Sequence, residues 1–214
     1  MNSLAEQVLD RKVDLHPCWS CKGPVCRRAL FCTTCTAVQG PGCVDHFTRL
    51  GQPRGFEVDT AALERAYFDL QRRLHPDRFA RRTPKERALS QQQAVALNEA
   101  YETLNDPLRR AAYLLTLAGR PVDIHGTASV ADPMLLMEMM ELREQLAMAE
   151  TAEQVGKVAA KADEEVLHCQ CEMSKAFAHD DLDKAGHLTT RMKYLTKLAE
   201  EARARKARMK RLVP

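Results

Sequence analysis

Aromatic residues are scarce in this 214-residue chain, 5 % with a single tryptophan, although 45 % of it is apolar. A core poor in aromatics leans toward helices built on Leu, Ala and Met. No run approaches the roughly 18 consecutive apolar residues that cross a bilayer, so no membrane-spanning segment is expected. The opening stretch MNSLAEQVLDRKVDLHP has neither a signal-peptide apolar segment nor the Arg-rich, acid-poor look of a transit peptide. The expected compartment is a bacterial cytoplasm, with the mitochondrial matrix as the alternative. A net charge of +3 is too small for a nucleic-acid footprint over the whole domain. Nucleic acid and membrane are therefore not expected partners, while weak self-association is allowed. There is no phosphate-cradling glycine loop and no assembled nucleophile with its acid and base, which argues against an enzyme and an organic cofactor.

Cysteine is the residue present in excess. Of eight cysteines, six lie between Cys18 and Cys43. In a chain without an export signal such clustering reads as metal binding before disulfides. Cys18, Cys21, Cys32 and Cys35 form two Cys-x-x-Cys pairs in CWSCKGPVCRRALFCTTC, able to supply four thiolates to one tetrahedral structural zinc ion at about 2.3 Å per bond. A redox dithiol is the competing reading. Cys26 and Cys43 fall outside the pairs and can substitute as ligands or stay free thiols. Cys169 and Cys171, two positions apart on a helix, read as one core and one surface residue.

Composition divides the chain into an N-terminal region 1–43 with the cysteine module, a helical block 44–119, a linker 120–131 and a C-terminal block 132–214. In the middle block Asp59 precedes an apolar period at Leu63, Ala66, Tyr67, Leu70 and Leu74, predicting a capped helix ended by Pro76, with His75 in its last turn. A second helix is predicted from Pro84 to Leu104 and a short one over LRRAAYLLTLAG, so a helical hairpin carries His-Pro-Asp in its loop. The C-terminal block predicts helices at Pro133–Ala149, Ala152–Ala178 and Leu182–Arg208. Thr151 with Gln154 is a capping box, and short connections argue for an antiparallel three-helix bundle. The expected class is all-α.

A His-Pro-Asp tripeptide alone is a helix stop with a polar turn as readily as a site. Here it follows an arginine-rich amphipathic helix and precedes LNEAYETLNDPLRRAAY, and together these resemble the J domain of J-protein co-chaperones over about Val44 to Gly119. The resemblance implies docking on a DnaK-type 70-kDa heat-shock chaperone and stimulation of its ATP hydrolysis, with His75, Pro76 and Asp77 as the trigger. Arg65, Arg72, Arg73 and Arg78 are candidates for steering toward an acidic partner, or simply a solvated helix face. Glu64, Phe68 and Asp69 stand where generic J domains carry basic residues, which suggests a dedicated or differently docked chaperone.

Advancing 100° per residue, Leu135, Met139, Leu142 and Leu146 form one apolar stripe, and Leu136, Met137 and Met140 lie nearly opposite on the same helix. One stripe must face the bundle. The other is either an interaction patch rimmed by Glu141, Arg143 and Glu144 or is itself buried against other helices. LLMEMMELREQL followed by RMKYLTKL resembles the HscB family of J proteins dedicated to iron-sulfur cluster biogenesis. The tetracysteine segment resembles the extension on human-type HscB proteins. This resemblance implies an HscA-type chaperone and an IscU-type iron-sulfur scaffold as partners. The scaffold contacts would be Leu136, Met137, Met140, Glu141, Arg143, Glu144 and Tyr194. The competing function is a general J protein whose bundle binds unfolded clients.

Overall fold

The computed structural model describes residues 15–124, 126 and 132–212. The opening stretch to residue 14 and most of the second half of the linker 120–131 lie outside the described residues. The chain divides into two compact units, residues 1–54 with 59–102 and residues 55–58 with 103–214. No helix among the described residues is long and apolar enough to cross a membrane.

The first unit begins with strands β1, Leu15–Pro17, and β2, Pro24–Cys26, paired antiparallel. A short helix α1, His46–Arg49, follows, capped by the Asp45 carboxylate, which accepts from the Thr48 amide. Sequence periodicity passes over α1 because four residues make barely one turn. Phe47 and Leu50 are nonetheless fully buried. Helix α2 spans Thr60–Leu74, with Asp59 accepting from the Ala62 amide, and α3 spans Pro84–Asn105. Thr83 and Glu86 cap the start of α3 reciprocally, the Thr83 amide donating to Glu86 Oε2 at 3.1 Å and the Glu86 amide to Thr83 Oγ1 at 3.2 Å. The two helices are clamped by stacked Tyr67 and Tyr101, ring centres 4.2 Å apart, and by the Tyr67 hydroxyl donating to Asn98 at 3.0 Å.

In the second unit, α4 spans Pro107–Leu117, α5 Pro133–Met148, α6 Ala152–Ala178 and α7 Leu182–Leu212. Each of α4, α5 and α6 starts where the sequence supplies a cap: Asp106 before Pro107, Asp132 before Pro133, and the Thr151–Gln154 capping box. Helix α7 runs past Arg208 to Leu212, the charged tail having no glycine or proline to stop it before the end. Helices α6 and α7 form the bundle's main pair around buried Met173, Met192 and Leu195. Leu115 of α4 packs with Ala176 and Ala185 in a further buried cluster. Phe56 stacks on Phe177 at 5.6 Å, and the Arg110 guanidinium covers the Phe56 ring at 5.1 Å. That contact is why the short stretch 55–58 belongs to this unit.

Helix α5 is held to the bundle by arginines. Arg191 on α7 donates two hydrogen bonds to Glu138 of α5, at 2.9 and 2.5 Å, and one to Glu165 of α6 at 2.8 Å. These carboxylates, Glu138 foremost, hold the guanidinium proton more tightly than usual despite partial burial. Arg205 donates to the carbonyls of Leu146 and Ala149, capping the end of α5.

Candidate metal centre and docking surfaces

Each Cys-x-x-Cys pair sits on a tight turn of the same design. In the first, the Lys22 amide donates to the Cys18 carbonyl at 3.0 Å and the Cys18 amide to the Gly23 carbonyl at 2.8 Å. In the second, Thr36 donates to Cys32 at 2.9 Å and Cys32 to Ala37 at 2.9 Å. Both turns need a left-handed residue, Lys22 at φ 64° and Thr36 at φ 60°. Strands β1 and β2 brace the first turn, and a Phe31–Val38 bridge braces the second.

The turns bring the four sulfurs of Cys18, Cys21, Cys32 and Cys35 within 4.8 Å of one another. Cys18 to Cys35 and Cys21 to Cys32 are each 3.7 Å. A tetrahedron with metal–sulfur bonds of about 2.3 Å has an edge of about 3.8 Å, so the donor set fits one tetrahedral ion. Burial raises the Cys18 thiol, but hydrogen bonds from the backbone amides of Cys21 and Ser20 and from the Cys35 and Cys32 thiols lower it to about 6. Cys21, sharing the cluster with these thiols, is pushed up to about 11, so Cys18 is the first of the two to become the thiolate a metal requires. Cys26 and Cys43 lie outside the cluster. Cys169 is buried and Cys171 exposed, one core and one surface residue as their spacing predicts.

Sequence reading did not reveal how the module is mounted. Gln39 donates to Cys18 Sγ at 3.5 Å and to the Ala37 carbonyl at 2.8 Å. Gln93 of α3 donates to the Gln39 carbonyl at 3.0 Å, and Arg49 of α1 donates to Gln93 at 3.5 Å. Gln39 and Gln93 are both buried, so this is a satisfied polar chain running from a cysteine ligand into the helices. Lys85 lies over Trp19 at 4.6 Å and Arg73 over Phe31 at 5.5 Å. Glutamines carry no motif, which is why the pattern did not announce them.

His75 lies one residue beyond the end of α2 rather than in its last turn, and Pro76 opens a single-turn helix, Pro76–Phe79. Its φ of −55° and ψ of 130° place His75 in the extended conformation that a following proline favours. Buried Leu74 and Phe79 flank the turn. Leu74 is fixed further by the Ser90 hydroxyl donating to its carbonyl at 2.8 Å. Between these anchors His75 and Asp77 are exposed, the Asp77 side chain at 90 %, and the Asp77 amide donates to His75 Nδ1 at 3.3 Å. Of the four candidate arginines, Arg72 pairs with Asp69, Arg73 lies over Phe31, Arg78 donates to the Arg72 carbonyl at 3.3 Å, and Arg65 is exposed.

The two stripes of α5 part as the 100° spacing predicts. Leu135, Met139, Leu142 and Leu146 are buried, whereas Leu136, Met137 and Met140 are 48, 60 and 63 % exposed. Glu141, Arg143 and Glu144 are exposed beside them. Tyr194 is half-buried under Lys193 and, with Asp132 and Leu135, lines a cavity of about 590 Å³ at the start of α5. The structure thus gathers six of the seven candidate scaffold contacts on one face of α5 and puts Tyr194 near that helix's first turn.

Comparison with known proteins bears on both units. The DnaJ domain family matches residues 45–113, and the HSCB C-terminal oligomerisation domain family matches residues 131–203. The iron-sulfur cluster co-chaperone protein HscB of Homo sapiens is 34 % identical over 193 residues, covering 88 % of this chain and 82 % of that protein. The crystal structure of human co-chaperone protein HscB superposes with a TM-score of 0.82 at 34 % identity, over 88 % of this chain and 98 % of that one. Chaperone HscB from Vibrio cholerae gives a TM-score of 0.68 at 34 % identity, over 78 % of this chain and 99 % of that one.

The separation of stripes predicts a contrast in stability. Leu142→Ala should cost about 2–5 kcal/mol, whereas replacing Leu136, Met137 and Met140 by alanine should cost within about 0.5 kcal/mol each. Urea denaturation of the two variants checks this, and a triple variant that unfolds in buffer would show the second stripe to be core.

Proposed function

The chain belongs to the HscB family of iron-sulfur cluster co-chaperones, and on that premise we propose that it stimulates ATP hydrolysis by a DnaK-type, HscA-like 70-kDa chaperone. In the same act it delivers an IscU-type scaffold protein to that chaperone for transfer of the iron-sulfur cluster. The observation that carries the reading is the exposed His75-Pro76-Asp77 turn pinned between buried Leu74 and Phe79. Proline fixes the backbone, and the outward Asp77 carboxylate is free to accept a bidentate pair from a partner's arginine. Arg65, Arg72, Arg73 and Arg78 lie on and around the preceding helix and bias the approach of an acidic surface.

The scaffold docks on the exposed stripe of α5. Leu136, Met137 and Met140 supply adaptable apolar anchors, and Glu141, Arg143 and Glu144 a charged rim that sets orientation, with Tyr194 as an outlying contact. Carrying both surfaces on one chain makes capture of the scaffold by the activated chaperone effectively intramolecular. The hydrolysis itself belongs to the chaperone. Zinc, held by Cys18, Cys21, Cys32 and Cys35, supplies a structural cross-link between the two cysteine turns. None of the eight cysteines is paired in a disulfide in the described fold, which suits a reducing compartment such as a bacterial cytoplasm or a mitochondrial matrix.

His75→Gln should abolish stimulation of the chaperone's single-turnover ATP hydrolysis while leaving the melting curve nearly unchanged, since the side chain is half exposed and its one hydrogen bond, from the Asp77 amide, is at the surface. Wild-type stimulation by this variant would sink the trigger assignment. Elemental analysis of the purified protein should give one zinc per chain, lost on changing Cys18 and Cys21 to serine, with the helical content retained. A protein isolated without metal, or with a Cys18–Cys21 disulfide, would contradict the structural-zinc reading.

A further inference from the structure

The tetracysteine module does more than sit beside the helical hairpin. Together with the His-Pro-Asp turn it encloses a cleft of about 300 Å³. Phe31 and Thr36 of the module form one wall, and Arg73, Arg78 and Arg82 of the hairpin form the other, over buried Phe79. Every residue of the cleft lies in the first compact unit.

The charge in this cleft is unbalanced. Arg73 is engaged only with the Phe31 ring and Arg78 only with a backbone carbonyl. Arg82 has no carboxylate within bonding distance among the described residues. The one acid lining the cleft, Glu86, spends its carboxylate on the amide and hydroxyl of Thr83, at 3.1 and 2.9 Å, where it caps α3. Three guanidinium groups thus converge without an anion. Guanidinium is weakly hydrated, stacks on aromatic faces and binds carboxylates through two parallel hydrogen bonds, so an aromatic-walled cleft of arginines is built to receive a carboxylate. The cleft is also continuous with the trigger, because Arg78 directly follows Asp77 and Phe79 is the anchor that fixes the turn.

We propose that this cleft takes an acidic segment of the chaperone, so that the cysteine module is one wall of the docking surface and helps to determine which chaperone is accepted. The proposal rests on the chaperone-docking reading above. The wall is held in place: Phe31 adjoins Cys32, Thr36 adjoins Cys35, and the Gln39–Gln93 hydrogen bond ties the module to α3. A carboxylate entering the cleft takes its charge-assisted bonds from the hairpin arginines, while the module supplies the opposite wall, Thr36 and the Phe31 ring that holds Arg73, which gives the tetracysteine site a role in partner choice.

The test uses the full chain and the DnaK-type chaperone of the same cell, reading the half-saturating concentration and the maximum of ATPase stimulation. Thr36→Asp places a carboxylate in the cleft at a left-handed position that aspartate tolerates, and Arg82→Glu reverses one charge on the opposite wall. Each should raise the half-saturating concentration about tenfold near 0.1 M salt, leave the maximum unchanged, and approach wild type at 0.5 M salt as screening takes over. Arg28→Glu, the same charge reversal elsewhere on the module, should saturate like wild type. The proposal is overturned if Thr36→Asp and Arg82→Glu saturate with wild type, or if Arg28→Glu shifts as much as they do. His75→Gln in the same series separates the two claims. If it is inactive while the cleft variants behave as wild type, only the cleft proposal fails, whereas if it stimulates fully, the docking reading itself fails.

Discussion

Burial of Leu74 and Phe79 on either side of the four residues His75, Pro76, Asp77 and Arg78 is the constraint on which the exposed His-Pro-Asp turn depends. Each apolar side chain is taken out of water at one end of a turn, and each such burial contributes on the order of 1.5–3 kcal/mol. The chain between them has too few residues to fold back, and Pro76 removes most of its remaining freedom. His75 and Asp77 therefore stay outside, and the hydrogen bond from the Asp77 amide to His75 Nδ1 sets their relative position. The Ser90 hydroxyl bound to the Leu74 carbonyl extends this fixation into α3, so the turn is mounted on the helical hairpin.

The same economy recurs in the second unit. Helix α5 presents one stripe inward and one outward; buried Leu135, Met139, Leu142 and Leu146 seat it, and Arg191, bridging Glu138 and Glu165, adds a directional tie. A charged clamp on the inward side fixes rotation about the helix axis. That decides which Leu and Met residues face solvent. Where the His-Pro-Asp turn is polar and held by apolar anchors, the exposed face of α5 is apolar and is backed by a buried stripe with a charged tie beside it.

Much of this was legible in the sequence, and the reasons are physical. Helices α2 to α7 announce themselves through apolar periods of about 3.6 residues, α2 and α6 also through their Asp59 and Thr151 caps and α3, α4 and α5 through a proline in the first turn. The two stripes of α5 separate by counting 100° steps. Helix α1 is too short for periodicity, and the paired knuckle turns depend on left-handed Lys22 and Thr36, residue types that give no hint of that conformation. Phe56, Arg191 and the Gln39–Gln93 chain act through partners remote in sequence, so nothing local marks them. At the candidate sites, residue type and spacing pointed to the cysteines, the tripeptide and the stripe. What they missed is the cleft between module and turn, because its arginines read as a solvated run until Phe31 and Thr36 are placed opposite them.

The central claim is that one chain couples a specific client to ATP hydrolysis. The most direct measurement is single-turnover hydrolysis by the chaperone with this chain and either an iron-sulfur scaffold protein or an unfolded polypeptide such as reduced, carboxymethylated lactalbumin. The account predicts that the scaffold and this chain accelerate hydrolysis by more than the product of their separate effects, and that the synergy disappears when Leu136, Met137 and Met140 are replaced by alanine. Equal synergy with the unfolded polypeptide, or synergy with the scaffold that survives those replacements, would contradict it.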